Sequence, residues 1–174
     1  MKKLWAIGLT AAVLLTACGE EESTEPTETT AGAESSGDSK EVKQELMKFY
    51  MSIPNAINAV DADLNAFEMN QAEGTLPEGE ELQTMKNAAI ASAEEAAGAV
   101  DTIEIPAALE ERQGKIETAF AAMRESYEMK AEELTKDASF EAADEKFGEA
   151  DAMLNELLEE QELAASSIYN EVSQ

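Results

Sequence analysis

The chain has 174 residues, room for one ordinary domain with extensions. It carries 38 acidic against 12 basic side chains, a formal net charge of -26, and no histidine. A surface of that sign repels phosphate backbones and anionic lipid headgroups, which argues against a nucleic-acid partner and against a domain lying flat on a membrane. The apolar fraction of 44%, set at helical spacing over most of the chain, argues for a folded domain within this acidic shell rather than the disorder that charge alone would give. Self-repulsion of this size eases when ions screen it, so the composition fits a protein that works in high salt or at alkaline pH.

At the N-terminus Met1-Lys2-Lys3 is a short positive start, followed by an apolar run from Leu4 to Leu14. That run has signal-peptide length and is short for a membrane span. Next comes Leu15-Thr16-Ala17-Cys18-Gly19: an aliphatic residue, two small residues, then the chain's sole cysteine. This segment resembles the lipobox of bacterial lipoproteins, over roughly the first nineteen residues. The resemblance implies that Leu15, Thr16 and Ala17 form the cleavage site, that a diacylglycerol is attached to the Cys18 thiol, and that the freed amine is in some members acylated too. Two acyl chains anchor stably where one is marginal. With its only cysteine so used, the chain forms no internal disulfide. Gly19 stands where Gram-negative lipoproteins retained in the inner membrane often have aspartate. The expected site is the extracytoplasmic face of the cell membrane, in a Gram-positive host by resemblance to acidic, lysine-led lipoproteins of that group.

From Glu20 to Ser39 the composition is Glu, Thr, Ser, Gly and Ala with one proline, Pro26, and no apolar periodicity. It reads as a disordered acidic linker spanning about 25 Å on average. The expected organisation is a signal peptide over 1–17, a lipidated cysteine and linker over 18–39, and a helical domain over 40–174.

Four apolar stripes with spacings of three and four follow. The first runs Val42, Leu46, Phe49, Ile53, Ile57, Val60, Leu64, Phe67; the second, alanine-rich, Leu82, Met85, Ala89, Ala93, Ala96, Val100. The third is Leu109, Ile116, Phe120, Met123, Tyr127, Leu134, and the fourth Phe140, Ala143, Phe147, Ala150, Leu154, Leu157, Ala164, Ile168, Val172. Gly74, Pro77 and Gly79, then Ile105-Pro106, then residues 136–139 separate them. Asp38 with Glu41 resembles a capping box, Pro106 suits a first helical position, and Asp137 or Ser139 could cap the last helix. Short connections between long helices predict an all-α, up-down-up-down antiparallel four-helix bundle. Pro54 inside the first stripe predicts a kink between Tyr50 and Pro54. Tyr50, Pro54 and Tyr127 are accordingly the candidates for a pocket between helices, although a tolerated bend and boundary tyrosines with a wet hydroxyl are the commoner explanation of such residues.

Tests for specific chemistry point away from catalysis. Carboxylate di-iron sites in bundles need a Glu-x-x-His pair, and haem needs axial ligands that the chain lacks. Asp61-Ala62-Asp63-Leu64-Asn65 imitates the start of a calcium loop, but Ala66 and Ala72 stand where glycine and a chelating glutamate are needed. Met47 and Met51 share a helix face, with Met69, Met85, Met123, Met129 and Met153 elsewhere; methionine can hold copper(I), but this dispersed set reads as core filling. No GxSxG segment or phosphate-cradling glycine loop occurs. The sequence therefore predicts no metal and no cofactor. It predicts a lipid-anchored, non-catalytic interaction or structural module with an envelope-protein or cell-wall partner. The alternative is a ligand- or cation-binding module of a sensory or transport system.

Overall fold

The computed structural model describes the backbone of residues 34–173 and the side chains from residue 40 onward. The segment read as a signal peptide, with Leu15, Thr16, Ala17 and Cys18, and most of the segment read as a linker lie outside the described residues. The rest is all-helical: α1 (Glu34–Ile57), α2 (Ala62–Glu73), α3 (Glu80–Asp101), a 3-10 segment (Ala107–Arg112), α4 (Gln113–Leu134), α5 (Glu141–Glu160) and α6 (Ile168–Val172). The long helices pack antiparallel, α4 most extensively against α3 and α5, and α2 lies on α3. Among the described residues no helix is long and apolar enough to cross a membrane.

The stripes form the core, but two of the four are broken by a turn, and the third starts with Leu109 in the 3-10 segment ahead of α4. The first divides into α1 and α2. Pro54 lies in α1, and the helix stops at Ile57, three residues beyond it. The Ile57 carbonyl accepts from the N–H groups of both Val60 and Asp61, at 2.9 and 3.1 Å, and closes a tight turn. That turn preserves the spacing Ile57, Val60, Leu64, so the apolar face continues through it. Buried Ser92 of α3 fixes the turn, its hydroxyl donating to the Val60 carbonyl at 2.7 Å. The fourth stripe divides into α5 and α6. The chain leaves α5 with Glu162 in the left-handed region, φ 54°, and the Leu163 N–H reaches back to the Leu158 carbonyl at 2.9 Å, a glycine-type helix end built on glutamate. Ala164, read as a core position, is exposed.

The expected caps also differ. α1 opens at Glu34, so Asp38 and Glu41 both lie within it. Phe140, not Asp137 or Ser139, precedes α5, with no side-chain cap. Pro106 precedes the 3-10 segment in extended conformation, ahead of α4. The expected breaker between α2 and α3 is confirmed. Gly74 takes φ 68° and Gly79 φ 66°, backbone that side chains with a Cβ adopt at a cost; the Thr75 N–H bonds the Asn70 carbonyl at 2.9 Å.

α3 buries Ala89, Ala93, Ala96, Ala97 and Val100, and α4 buries Ala119, Ala122 and Met123. Small residues let the two backbones approach closely, as the alanine-rich stripe predicts.

Candidate functional site

The short α6 is fixed by polar side chains from three other helices. Tyr50 of α1 donates its hydroxyl to the Ser166 carbonyl at 2.8 Å. Asn65 of α2 donates to the Val172 carbonyl at 2.8 Å, and Asn58, in the turn before α2, to the Glu171 carbonyl at 3.1 Å. From α5, Asn155 and Asp151 accept from the N–H groups of Ser166 and Ile168, each at 2.8 Å. Ser167 caps α6, accepting from the Asn170 N–H. These bonds satisfy the orphan backbone groups at both ends of a helix too short to stand alone.

Where α6 and its lead meet α1, they leave a groove of about 340 Å³ lined by Met47, Tyr50, Met51, Pro54, Leu158, Ser166 and Glu171. A second, more open depression holds Asp61, Asn65 and Met69, and shares Asn58 and Glu171 with the first. Among the described residues the large apolar side chains left exposed are Met47, Met51 and Met69, and all three line this double groove. The core-filling reading therefore needs correction. It holds for buried Met123 and for Met85 and Met153, packed at the core's margin, and fails for these three.

Of the three sequence candidates, Tyr50 and Pro54 meet in the groove. Tyr50 itself is buried, and burial above all pushes its phenol well above the usual tyrosine range, with the charge of Asp151 adding to it. Tyr127 belongs to a different place. It is buried edge-on to Phe147, ring centroids 5.8 Å apart. Burial again raises its phenol most, and the charges of Asp61 and Glu68 add to the effect.

Those neighbours belong to a charged cluster built around a buried lysine, with the partly exposed Glu68 and Asp144 on its outer side. Lys130 of α4 is only 5% exposed. Its ammonium lies 2.8 Å from a Glu68 oxygen on α2 and 3.0 Å from Asp144 on α5, and 5.6 Å from the centre of the Phe140 ring. Burial opposes the charged lysine, yet the two carboxylates carry its pKa above the ordinary value. Asp61 is 2% exposed, and its Oδ2 is buried without a hydrogen-bond partner. Burial pushes its pKa up to about 6; Asn65 and Lys130 pull it down while Glu68 raises it. Although Asp61 immediately precedes α2, its side chain makes no capping bond. The calcium-loop reading of this segment fails on geometry as well as pattern. Asp63 and Asn65 lie within α2, and among the described residues no group of metal-binding side chains converges on a point.

Chemically, the cluster is a structural ion pair joining three helices, with one poorly compensated carboxylate beside it. The double groove is an accessible apolar surface in an acidic setting. No family model, curated protein or solved structure matches the chain.

Proposed function

We propose that the chain is an exported lipoprotein, held at the extracytoplasmic face of the cell membrane through lipid on Cys18, whose helical body is a non-catalytic interaction module for an envelope partner. α1 with α2, and α5 with α6, are then the two interrupted members of an up-down-up-down four-helix arrangement. The observation that carries the interaction reading is the collection of Met47, Met51 and Met69 on one face, because exposed large apolar side chains gathered in one place mark contact surfaces more often than scattered ones do. The sole cysteine at the lipobox position supports the anchoring. Feeding cells a labelled fatty acid tests the anchor: the wild-type chain takes up label and fractionates with membranes, whereas Cys18→Ala does neither. A photo-crosslinker at position 51 tests the module, and the expected product is one envelope component. A chain released unlabelled into the medium, or a bare position 51, overturns the corresponding half.

A second reading, small-ligand binding, draws on the same groove, whose volume lies at the lower end of the range for such sites. Calorimetric titration with metabolite pools and divalent cations separates the two, since only the ligand-binding reading predicts tight saturable heat.

A further inference from the structure

We propose that the double groove between α1, α2 and α6 docks a cationic amphipathic segment of a partner protein, its apolar side on Met47, Met51 and Met69 and its Lys or Arg side chains toward Glu171. This rests on the reading of the bundle as an interaction module and names the chemistry of its partner. Met47 and Met51 stand one helical turn apart on α1, so their thioethers share a face. Their exposures, 46% and 61%, with 57% for Met69, leave much apolar surface to cover. Unbranched thioether side chains re-pack around incoming apolar groups, which suits a helix laid in a groove.

Charge selects the occupant. The only charged side chains lining the two depressions are Asp61 and Glu171, both acidic. The bases of α1 lie outside these two depressions, in a third one beyond Met47 that holds Lys40, Lys43 and Lys48; Lys43 meets Glu162 at 3.3 Å and Lys48 meets Glu45 at 2.6 Å. The net charge of -26 repels an anionic lipid surface and a second copy of the chain alike, and accelerates encounter with a basic partner. A cationic segment is the occupant that both the lining and the long-range field favour.

The test uses the mature chain with Cys18→Ser, which carries no lipid, and a fluorescently labelled Leu/Lys amphipathic helical peptide, titrated by anisotropy at physiological salt. Saturable binding is expected. The combined Met47→Ser, Met51→Ser, Met69→Ser variant should weaken it about tenfold or more, and Glu171→Gln should weaken it several-fold. Glu94→Gln with Glu95→Gln on exposed α3 positions should leave it unchanged, and a Leu/Glu peptide should not bind. No binding, or equal binding to the methionine variant, overturns the proposal, the latter by showing adhesion to bulk charge alone. Methionine-dependent binding to phosphatidylglycerol vesicles, or methionine-dependent self-association in sedimentation, overturns it in favour of those occupants. A position-51 crosslink in cells to a segment without basic residues overturns the cationic inference and leaves the module reading standing. Absence of both crosslink and peptide binding removes both.

Discussion

The molecule has two kinds of interior. α3 and α4 pack extensively on each other, and much of what they bury is small or apolar, alanines with Val100 and Met123. Between α2, α4 and α5 lies the buried Lys130 with the partly exposed Glu68 and Asp144, and beside them the buried Asp61. The first interior is limited by volume, because its backbones are close together and there is little room to relax. The second is limited by electrostatics, because each charge taken out of water relies on a specific partner. The two should therefore answer substitution in different currencies: shape in one, ionisation in the other.

The sharpest separation comes from Lys130→Ala, which leaves Glu68 and Asp144 facing each other without their cation and removes a buried side-chain stem. A loss of about 3 kcal/mol is expected, read as a lower urea midpoint at unchanged slope. Lys130→Met, which keeps the volume, should recover part of the loss at a pH low enough to neutralise the two acids. If both variants lose the same amount at every pH, the second interior is governed by packing like the first. Next in size, Ala96→Leu drives a large side chain into the α3 seam and should cost about 2 kcal/mol by overpacking. This loss should not vary with pH, and a melting series between pH 4 and 8 checks it.

Asp61 supplies the inverse case. Burial pushes its carboxyl up to about 6 in the fold, against 3.8 for a free aspartate side chain, so between these values the native state holds a proton that the unfolded chain has already released. Wild-type stability from this group thus increases as pH falls from about 6 toward 3.8, and at pH 7 the buried charge is a net cost. Glu68 strengthens that cost, while Lys130 and Asn65 reduce it. Asp61→Asn should therefore raise stability by about 2 kcal/mol at pH 7, with the advantage shrinking through this window and gone below pH 4. A variant less stable than wild type at pH 7 means that Asp61 is held by its charge and not merely tolerated.

Much of this architecture is legible in the residue pattern, and the parts that are not have physical causes. The apolar stripes identify most of the core because burial follows the helical period. The same period hides the breaks. The turn after Ile57 keeps the three- and four-residue spacing through a gap, and the passage from α5 to α6 contains neither glycine nor proline. Ser166-Ser167 before Ile168 was the available capping signal there. The charged cluster was also within reach. Lys130 falls three residues after Tyr127 and four before Leu134, and Asp61 four after Ile57 and three before Leu64, so each charge stands at a stripe position facing inward. The exposed methionines were not legible, since Met47 and Met51 fit a helix face without revealing whether another element covers it. Only the placement of α6 decides that.

The smallest expected effect tests the passage that placement depends on. Glu162 ends α5 with φ 54°, a conformation that costs a residue bearing a Cβ roughly 1 kcal/mol and costs glycine almost nothing in the fold. Its carboxylate does meet Lys43 at 3.3 Å, but the Glu162 side chain is 89% exposed, where such pairs contribute little. Glycine also gives the unfolded chain more freedom, which offsets part of the gain. The balance favours Glu162→Gly by about 0.5 kcal/mol, visible as a small rise in melting temperature. Because Leu163 and Ser166 follow directly, the same substitution should slow hydrogen exchange at the Ser166 and Ile168 amides bonded to Asn155 and Asp151. If stability rises without that added protection, the end of α5 is strained but is not what holds α6 against α1, and the groove owes its shape to the side chains that bond α6: Tyr50, Asn58, Asn65, Asp151 and Asn155.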